Sequence, residues 1–204
     1  MMTKEELLTA LGAGDYVPEL LEEAAERMKD GAFDVGDIVL MKNGVPWRLV
    51  DLQDDGAVIM TAVAFDYAPF SRPDKRHPWG WNNYMASQIR KELNSVYPEK
   101  LLGKEKELLI KHDDERGVMW LLSTEEAGFT QGSGTYAYFR DEDPDKTELK
   151  RQLIDLDGDE TFWWLRSPNP SNAYYERYVL TDGSLDNYRA CNGDGAVAAC
   201  AIKF

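Results

Sequence analysis

The fold is decided near the C-terminus, by the stretch Phe162-Trp163-Trp164-Leu165-Arg166-Ser167-Pro168 and the closing run Ala196-Val197-Ala198-Ala199-Cys200-Ala201-Ile202-Lys203-Phe204. Both are rich in the apolar and aromatic residues that form buried strands. The segment between them is instead dominated by tyrosine, asparagine, arginine, aspartate and glycine. Tyrosine offers a large amphipathic contact area at low rotamer cost, and asparagine and glycine offer adaptable hydrogen bonding. The sequence therefore predicts a rigid frame that carries a binding surface.

Composition limits the classes of protein to which the chain can belong. Its 204 residues, 43% of them hydrophobic, can bury one sizeable core, so we expect one main domain with a small appendage. The formal charge of −14 disfavours nucleic acid and anionic membranes as partners. The longest apolar runs are too short to span a bilayer, and the N-terminus has no signal-peptide pattern. We expect no membrane insertion and a cytoplasmic or virion-associated location.

Residues that could support catalysis or bind metal are few and poorly spaced. Cys191 and Cys200 lack the spacing of a zinc or redox site, and His77 and His112 have no partner at helical metal spacing. The segments Gly132-Ser133-Gly134 and Gly12-Ala13-Gly14 match neither a nucleophile elbow nor a dinucleotide fingerprint. We therefore expect no enzymatic activity, no cofactor and no metal.

The acidic run Asp155-Leu156-Asp157-Gly158-Asp159-Glu160 invites a calcium interpretation. The EF-hand template does not fit, because Gly158 is the fourth residue and Arg166 the twelfth, where the template needs glycine at position six and glutamate at twelve. The run is expected to be a solvated acidic turn, with a cation site as the alternative.

The first 31 residues predict a small N-terminal helical segment. Thr3 and Glu6 have capping-box spacing, and Gly12-Ala13-Gly14-Asp15 is expected to end the first helix. Pro18 suits the first turn of a second helix, and Gly31 its end. This segment is either packed onto the domain or serves attachment and oligomerisation.

Residues 35–204 predict an α+β domain with a mostly antiparallel sheet, because short strands are interspersed with helices and dominate the end of the chain. Turns are expected at Asn43-Gly44, at Asp54-Asp55-Gly56 and at Thr181-Asp182-Gly183-Ser184. The predicted strands are Asp37–Met41, Pro46–Leu52, Ala57–Ala64, Gly117–Leu122, Thr161–Leu165, Glu176–Leu180 and Ala196–Ile202. Helices are predicted at Met85–Asn94, after Ser123 with Glu126 as its capping partner, and around Thr147–Leu153.

The tryptophans and Arg166 are assigned structural roles. Trp47, Trp120, Trp163 and Trp164 are expected to fill the core or a sheet face. A guanidinium flanked by apolar residues needs acceptors, so Arg166 is expected to hold loop carbonyls or a carboxylate in place.

The Trp163–Pro168 block, the Val179–Leu185 turn, the Ala196–Ala198 stretch and the terminal Ile202–Phe204 resemble the variable proteins of diversity-generating retroelements of phages and their bacterial hosts. Upstream segments, including Trp47–Asp51, Ser87–Asn94 and Trp120–Ser123, resemble a related uncharacterised family of gut-bacterial and phage domains. The resemblance covers about residues 35–204. It implies a C-type-lectin-like fold of the formylglycine-generating-enzyme type.

The resemblance also implies a function, that of a ligand-binding display protein whose C-terminal region, about residues 170–200, is diversified at adenines to recognise protein or cell-surface targets. The implied variable positions are Ala173, Tyr174, Tyr175, Arg177, Tyr178, Asn187, Tyr188, Arg189, Ala190, Cys191, Asn192 and Asp194, all expected to point outward. Three alternatives remain: a static member of the uncharacterised family, a structural or assembly protein of a phage or prophage, and an oxidase-like enzyme that uses Cys191 and Cys200.

Overall fold

The computed structural model describes residues 3–12, 18–41, 44–130 and 132–204. Its helices are α1 (Lys4–Ala10), α2 (Leu21–Lys29), α3 (Gln88–Leu93), α4 (Tyr97–Leu102) and α5 (Pro144–Arg151), with short 3-10 helices at Tyr84–Ala86, Gly103–Leu108 and Ala137–Phe139. Its strands are β1 (Ile38–Leu40), β2 (Pro46–Gln53), β3 (Gly56–Thr61), β4 (Asp66–Pro69), β5 (Leu153–Ile154), β6 (Glu160–Thr161), β7 (Trp163–Pro168), β8 (Tyr175–Val179), β9 (Leu185–Arg189), β10 (Gly193–Ala196) and β11 (Ala199–Lys203). The architecture is mixed α+β.

Two larger sheets organise the described residues. One has the order β1-β2-β3-β11 and is antiparallel throughout. The other has the order β4-β10-β7-β8-β9, in which β10 and β7 are parallel and the other neighbours antiparallel. Strands β5 and β6 form a small hairpin. The expectation of mostly antiparallel sheets is confirmed.

The predicted strand Ala196–Ile202 is wrong as one element, because the chain changes sheets inside it. Strand β10 ends at Ala196 and β11 begins at Ala199. The residue that fixes the crossing is Thr61, whose buried hydroxyl accepts from the Ala198 N–H at 3.2 Å while its own N–H donates to the Ala198 carbonyl at 2.8 Å. Residues 193–203 thereby join both sheets.

Other sequence predictions hold in part. Gln53 pairs with Gly56 across the β2–β3 turn, as the Asp54-Asp55-Gly56 signal indicated. The helix predicted over Met85–Asn94 is instead a 3-10 turn followed by α3, because the Ser87 hydroxyl caps the N–H of Arg90 and starts a new helix there. The strand predicted over Gly117–Leu122 is reduced to one bridge between Trp120 and Ala199.

Ser123 and Glu126 exchange the reciprocal hydrogen bonds of a capping box, yet turns rather than a helix follow. Gly128 follows at φ +74°, outside the helical region, and the Glu126 side chain also accepts from Arg166 and Tyr136. The helix predicted around Thr147–Leu153 is α5, which begins earlier, at Pro144, because Asp143 caps it.

At the N-terminus, the Thr3–Glu6 capping box of α1 is confirmed. Pro18 lies before α2 rather than in its first turn, because the helix begins after Leu20. The predicted breaks at Ala13-Gly14-Asp15 and at Asn43 lie outside the described residues. Leu21 and Met28 of α2 are buried in the same cluster as Trp47, so α2 packs into the main core.

The four tryptophans predicted to be structural are fully buried. The indole N–H of Trp163 donates to the Arg151 carbonyl, and that of Trp164 to the Ala68 carbonyl, both at 2.9 Å. The doublet therefore points to opposite sides of β7, as strand alternation requires. No helix in the described part of the chain is both long and apolar enough to cross a membrane.

Candidate functional site

The candidate site is built on the hairpin of β8 and β9, which lies at one edge of the five-stranded sheet. The turn predicted at Thr181–Ser184 joins the two strands, with the Leu180 N–H donating to the Ser184 carbonyl at 2.9 Å. Register places Tyr175 opposite Arg189 and Arg177 opposite Asn187. Glu176 lies opposite Tyr188. Because side chains alternate along each strand, Tyr188 lies on the face of the hairpin opposite to Tyr175 and Arg177.

The implied variable residues therefore do not form one continuous patch. Tyr175, Arg177, Asn187 and Arg189 share one face of the hairpin, and Tyr178 and Tyr188 share the other, where their ring centroids lie 5.7 Å apart. Successive side chains of a strand point to opposite faces of the sheet. Residues that are close together in the sequence are therefore divided between the two faces of the hairpin.

Exposure separates the implied residues further. Ala173, Tyr174, Tyr188 and Arg189 are exposed, and Tyr175, Arg177, Asn187, Cys191 and Asn192 are half-buried. The expectation that all twelve point outward is wrong for Tyr178, Ala190 and Asp194, which are buried.

Each of these three buried residues has a packing reason. Tyr178 lies directly opposite Trp164, with ring centroids 6.1 Å apart. Ala190 is covered by the segment that precedes α3, and its carbonyl accepts from the Ser71 N–H at 2.8 Å. Asp194 lies on β10, an inner strand that pairs with β4 and β7.

An open groove of about 970 Å³ lies on the Tyr178–Tyr188 side of the sheet. We call it the tyrosine groove. It is lined by Tyr67, Glu160, Thr161, Phe162, Tyr178, Tyr188, Cys191, Asn192, Gly193 and Asp194. Five of the implied variable residues lie here: Tyr178, Tyr188, Cys191, Asn192 and Asp194.

Aromatic rings form a row along the groove. Phe162 contacts Tyr178 edge-on with centroids 5.6 Å apart, and Tyr178 continues the row to Tyr188. Phe162, Tyr188 and Tyr67 are 41%, 44% and 53% exposed, so ring surface remains free for a ligand.

The acidic run identified in the sequence forms part of the groove's wall. The Tyr67 hydroxyl donates to the Asp155 carboxylate at 2.8 Å and contacts the Thr161 hydroxyl at 2.9 Å. Asp155 also accepts the N–H groups of Asp157 and Asp159, which shapes the run into the tight turn between β5 and β6. Within the described ranges, no group of three or more histidine, cysteine, aspartate or glutamate residues is placed to hold a metal ion.

Two buried carboxyl groups lie on this side of the sheet. Burial raises the pKa of Asp194 to about 6, and its Oδ2 atom has no hydrogen-bond partner among the described residues. Burial raises the pKa of Glu176 to about 9, although the N–H and the charge of Arg177 act in the opposite direction. At neutral pH, Glu176 is therefore protonated and Asp194 is mostly ionised.

The loop that leads into the hairpin is held by Asn82. Its side-chain amide donates to the carbonyls of Asn169, Asn172 and Tyr175 at 3.0, 3.2 and 3.0 Å. Its backbone N–H donates to the Ala173 carbonyl at 2.9 Å. One buried side chain thus fixes the entry to β8.

The end of the hairpin is held by the neighbouring segment. The Trp79 carbonyl accepts from the Cys191 N–H at 3.1 Å, and the Arg189 guanidinium lies 4.1 Å from the centroid of the Trp79 ring. Gly80, at φ +81°, passes so close that a Cβ atom would lie 2.6 Å from the Ser71 carbonyl oxygen. Only glycine fits that approach and that dihedral angle.

Arg166 has the role that the sequence predicted. It donates to the Leu121 carbonyl at 2.8 Å and forms a two-pronged ion pair with the buried Glu126. Burial works to lower the pKa of Arg166, but the hydrogen bonds and charge of Glu126 outweigh it and the pKa lies above its ordinary value. β7 is thereby tied to the loop after Trp120.

Sequence reasoning missed Tyr67, Phe162, Glu160 and Thr161 as groove residues. Tyr67 lies on β4, a four-residue strand that ends in proline and has no alternating pattern. Phe162 lies in the predicted strand Thr161–Leu165, to which the sequence analysis gave no binding role. The signal in the sequence is strand alternation, which puts Phe162 on the same face as Trp164.

The two cysteines are free and unlike in setting. Cys200 is fully buried on β11, and burial raises the pKa of its thiol. Cys191 is half-buried in the groove.

The family model described as a domain of unknown function, DUF6273, matches residues 54–204. The chain belongs to the DUF6273 family. The matched range begins at the β2–β3 turn and contains every residue of the tyrosine groove. No curated protein and no solved structure matches the chain.

Proposed function

We propose that this DUF6273 member is a ligand-binding display protein. Its exposed C-terminal side chains recognise a protein or cell-surface target, with no catalytic step and no nucleic-acid partner. We further propose that its fold is C-type-lectin-like, of the formylglycine-generating-enzyme type, and that the exposed positions are diversified by a retroelement. The mixed α+β architecture with mostly antiparallel sheets is compatible with that fold.

The observation that carries the proposal is the division between a fixed backbone and free side chains. Asn82 and Gly80 fix the backbone on both sides of the hairpin, while Tyr174, Tyr188 and Arg189 keep much of their surface free. Tyrosine and arginine are the residues that most often supply binding energy at protein interfaces. Rigid backbone beneath them reduces the entropy lost on binding.

The burial of Tyr178, Ala190 and Asp194 reduces the set of positions that we propose to contact the target directly. Diversification at Ala190 would force larger side chains against the Ser71 segment, so this position belongs to the frame. The proposed contact positions are Ala173, Tyr174, Tyr175, Arg177, Asn187, Tyr188, Arg189, Cys191 and Asn192, with Tyr178 and Asp194 contributing from within the groove.

The setting of Cys200 supports the part of the proposal that assigns no catalytic step to this protein. An oxidase that depends on a reactive cysteine pair needs an accessible thiolate, and a fully buried thiol with a raised pKa does not supply one.

The test is selection of a displayed random-peptide library against the intact protein. The selection should enrich peptides that bind the wild type and do not bind a triple variant, Tyr174→Ala, Tyr188→Ala and Arg189→Ala, that remains folded. A matched triple variant at exposed sites on other elements, Leu52→Ala, Val96→Ala and Lys104→Ala, should retain binding. Enriched peptides that bind both triple variants equally would place recognition elsewhere.

Diversification has its own test in the DNA. A near-copy of the segment that encodes residues 170–200, differing at adenines and lying beside a reverse transcriptase gene, is expected. Differences that fall on the codon for Ala190 would contradict the assignment of that position to the frame.

A further inference from the structure

We propose that the tyrosine groove binds a cationic side chain, arginine or lysine, presented by a protein partner. The inference rests on the proposed recognition function and names the chemistry of the ligand.

The first observation is the charge of the groove. Its lining includes Glu160 and Asp194, and none of the residues that line it is basic. Further acidic groups stand nearby, because the charge of Asp186 acts on the Tyr178 hydroxyl and those of Asp155 and Asp159 on the Tyr67 hydroxyl.

The basic residues of the hairpin do not neutralise this charge. Arg177 and Arg189 belong to the opposite face, and Arg189 is stacked over the Trp79 ring. The groove is therefore an acidic concavity without an internal counter-ion.

The second observation is Asp194 itself. It is 7% exposed, it lines the groove, and its Oδ2 atom has no partner among the described residues. A buried carboxylate without a full set of hydrogen bonds is costly, and a cationic donor from a ligand would offset that cost.

The neighbours of Asp194 make room for such a donor. At Gly193 a Cβ atom would meet nothing within 4 Å, so the groove is open beside the carboxylate. At Gly195 a Cβ atom would lie 2.4 Å from the Phe162 carbonyl oxygen, so the strand is packed tightly on the other side and holds Asp194 in place.

The third observation is the row of rings. Phe162, Tyr178 and Tyr188 follow one another with centroid separations of 5.6 and 5.7 Å, and Phe162 and Tyr188 retain exposed surface. Ring faces attract a cation through their quadrupole, and arginine also stacks on them. Asp194 lies on β10, next to β7, and it lines the groove together with these rings. A carboxylate beside an aromatic row matches a long side chain with an apolar stem and a charged head.

The experiment compares two probes of the same shape. N-acetyl-arginine amide and N-acetyl-citrulline amide differ in the charge of the head group, and each is titrated into the full-length ¹⁵N-labelled protein by NMR. We expect saturable shifts of the Tyr188, Asn192 and Gly193 amides with arginine, and affinity for citrulline that is lower by roughly tenfold.

Variants assign the effect to the groove. Asp194→Asn should reduce arginine affinity to the level of citrulline, whereas Asp54→Asn, the same change at an exposed turn, should leave it unaltered. If Asp194→Asn does not fold, Tyr188→Ala at the exposed ring should still weaken arginine binding several-fold.

Three results would overturn the inference. Equal binding of both probes in the groove would show recognition without charge selection, and the proposed function would stand. Arginine-induced shifts confined to other acidic surfaces would contradict the proposed cation site. The absence of shifts with either probe would contradict it as well. In both cases the peptide-library selection would still decide the proposed function.

Discussion

Arg166 and Glu126 lie forty residues apart in the chain and meet as a buried ion pair, in which Nη2 of Arg166 donates to Oε1 of Glu126 at 2.8 Å. Their side chains are 9% and 10% exposed. Glu126 also accepts from the Tyr136 hydroxyl, so one carboxylate joins β7 to two loops. The pair fixes β7, the strand on which the β8–β9 hairpin is paired.

Breaking this pair should be costly. Glu126→Gln leaves the guanidinium without its buried charged partner, and we expect a loss of about 3–5 kcal/mol in the free energy of unfolding. The control is Glu115→Gln, which removes the exposed partner of Arg166 and should cost less than about 1 kcal/mol. Urea denaturation measures both, and equal small losses would deny Glu126 its structural role.

Asn82 should control the loop rather than the whole fold. Asn82→Asp removes the amide that donates to three carbonyls and places a carboxylate against them, so we expect a loss of about 2–3 kcal/mol. Hydrogen exchange at Tyr175 should become faster than in the wild type. Asn83→Asp is the matched control, because its side chain acts as an acceptor for the Ala86 N–H and retains that ability. Equal exchange rates in the two variants would contradict the anchoring role.

Glu176 should make stability depend on pH. Its pKa is about 9 in the folded protein against an ordinary 4.5, so the native state keeps a proton that the unfolded state releases. The stabilisation is complete below pH 4.5 and is lost as pH rises toward 9, at a rate approaching roughly 1.4 kcal/mol per pH unit.

Glu176→Gln stays neutral in both states and should remove that slope. Its free energy of unfolding should exceed that of the wild type increasingly between pH 5 and pH 8. Glu160→Gln, at an exposed position, should follow the wild-type curve. Parallel curves for the wild type and Glu176→Gln would show that Glu176 is ionised in the folded protein.

Two of the groove tyrosines, Tyr178 and Tyr188, should respond differently to truncation. Tyr178→Ala removes a buried ring beside Trp164 and should cost about 3 kcal/mol or more. Tyr188→Ala removes a 44% exposed ring and should cost about 1 kcal/mol or less. Thermal unfolding distinguishes them, and similar losses would contradict the burial difference between these positions.

Local signals predicted the frame well. The Asp54-Asp55-Gly56 turn, the Thr3 capping box and the acceptors of Arg166 follow from nearby residues or from the needs of a single side chain. The break between β10 and β11 could not be predicted from the sequence. It depends on the hydrogen bond between Ala198 and Thr61, which are 137 residues apart in the chain.

The sequence indicated which residue types make up the candidate site, but not which face of the sheet each residue occupies or how deeply it is buried. Tyr178 and Tyr188 look alike in the sequence, and the register opposite Trp164 buries one of them. The groove also needs Tyr67 and Glu160, which come from other strands whose pairing the sequence does not reveal. Which face each residue occupies is set by strand pairing across the sheet.

We propose above that the hairpin backbone is fixed while its exposed side chains are free to vary. The measurement that tests this most directly compares the folded fraction of two libraries of this chain, determined by protease resistance on a display system. One randomises Tyr174, Asn187, Tyr188 and Arg189, and the other randomises Glu176, Tyr178, Ala190 and Asp194. We expect most members of the first library to be folded and to yield binders to new protein targets, while few members of the second survive. Equal survival of the two libraries, or a first library that folds but never yields a binder, would contradict it.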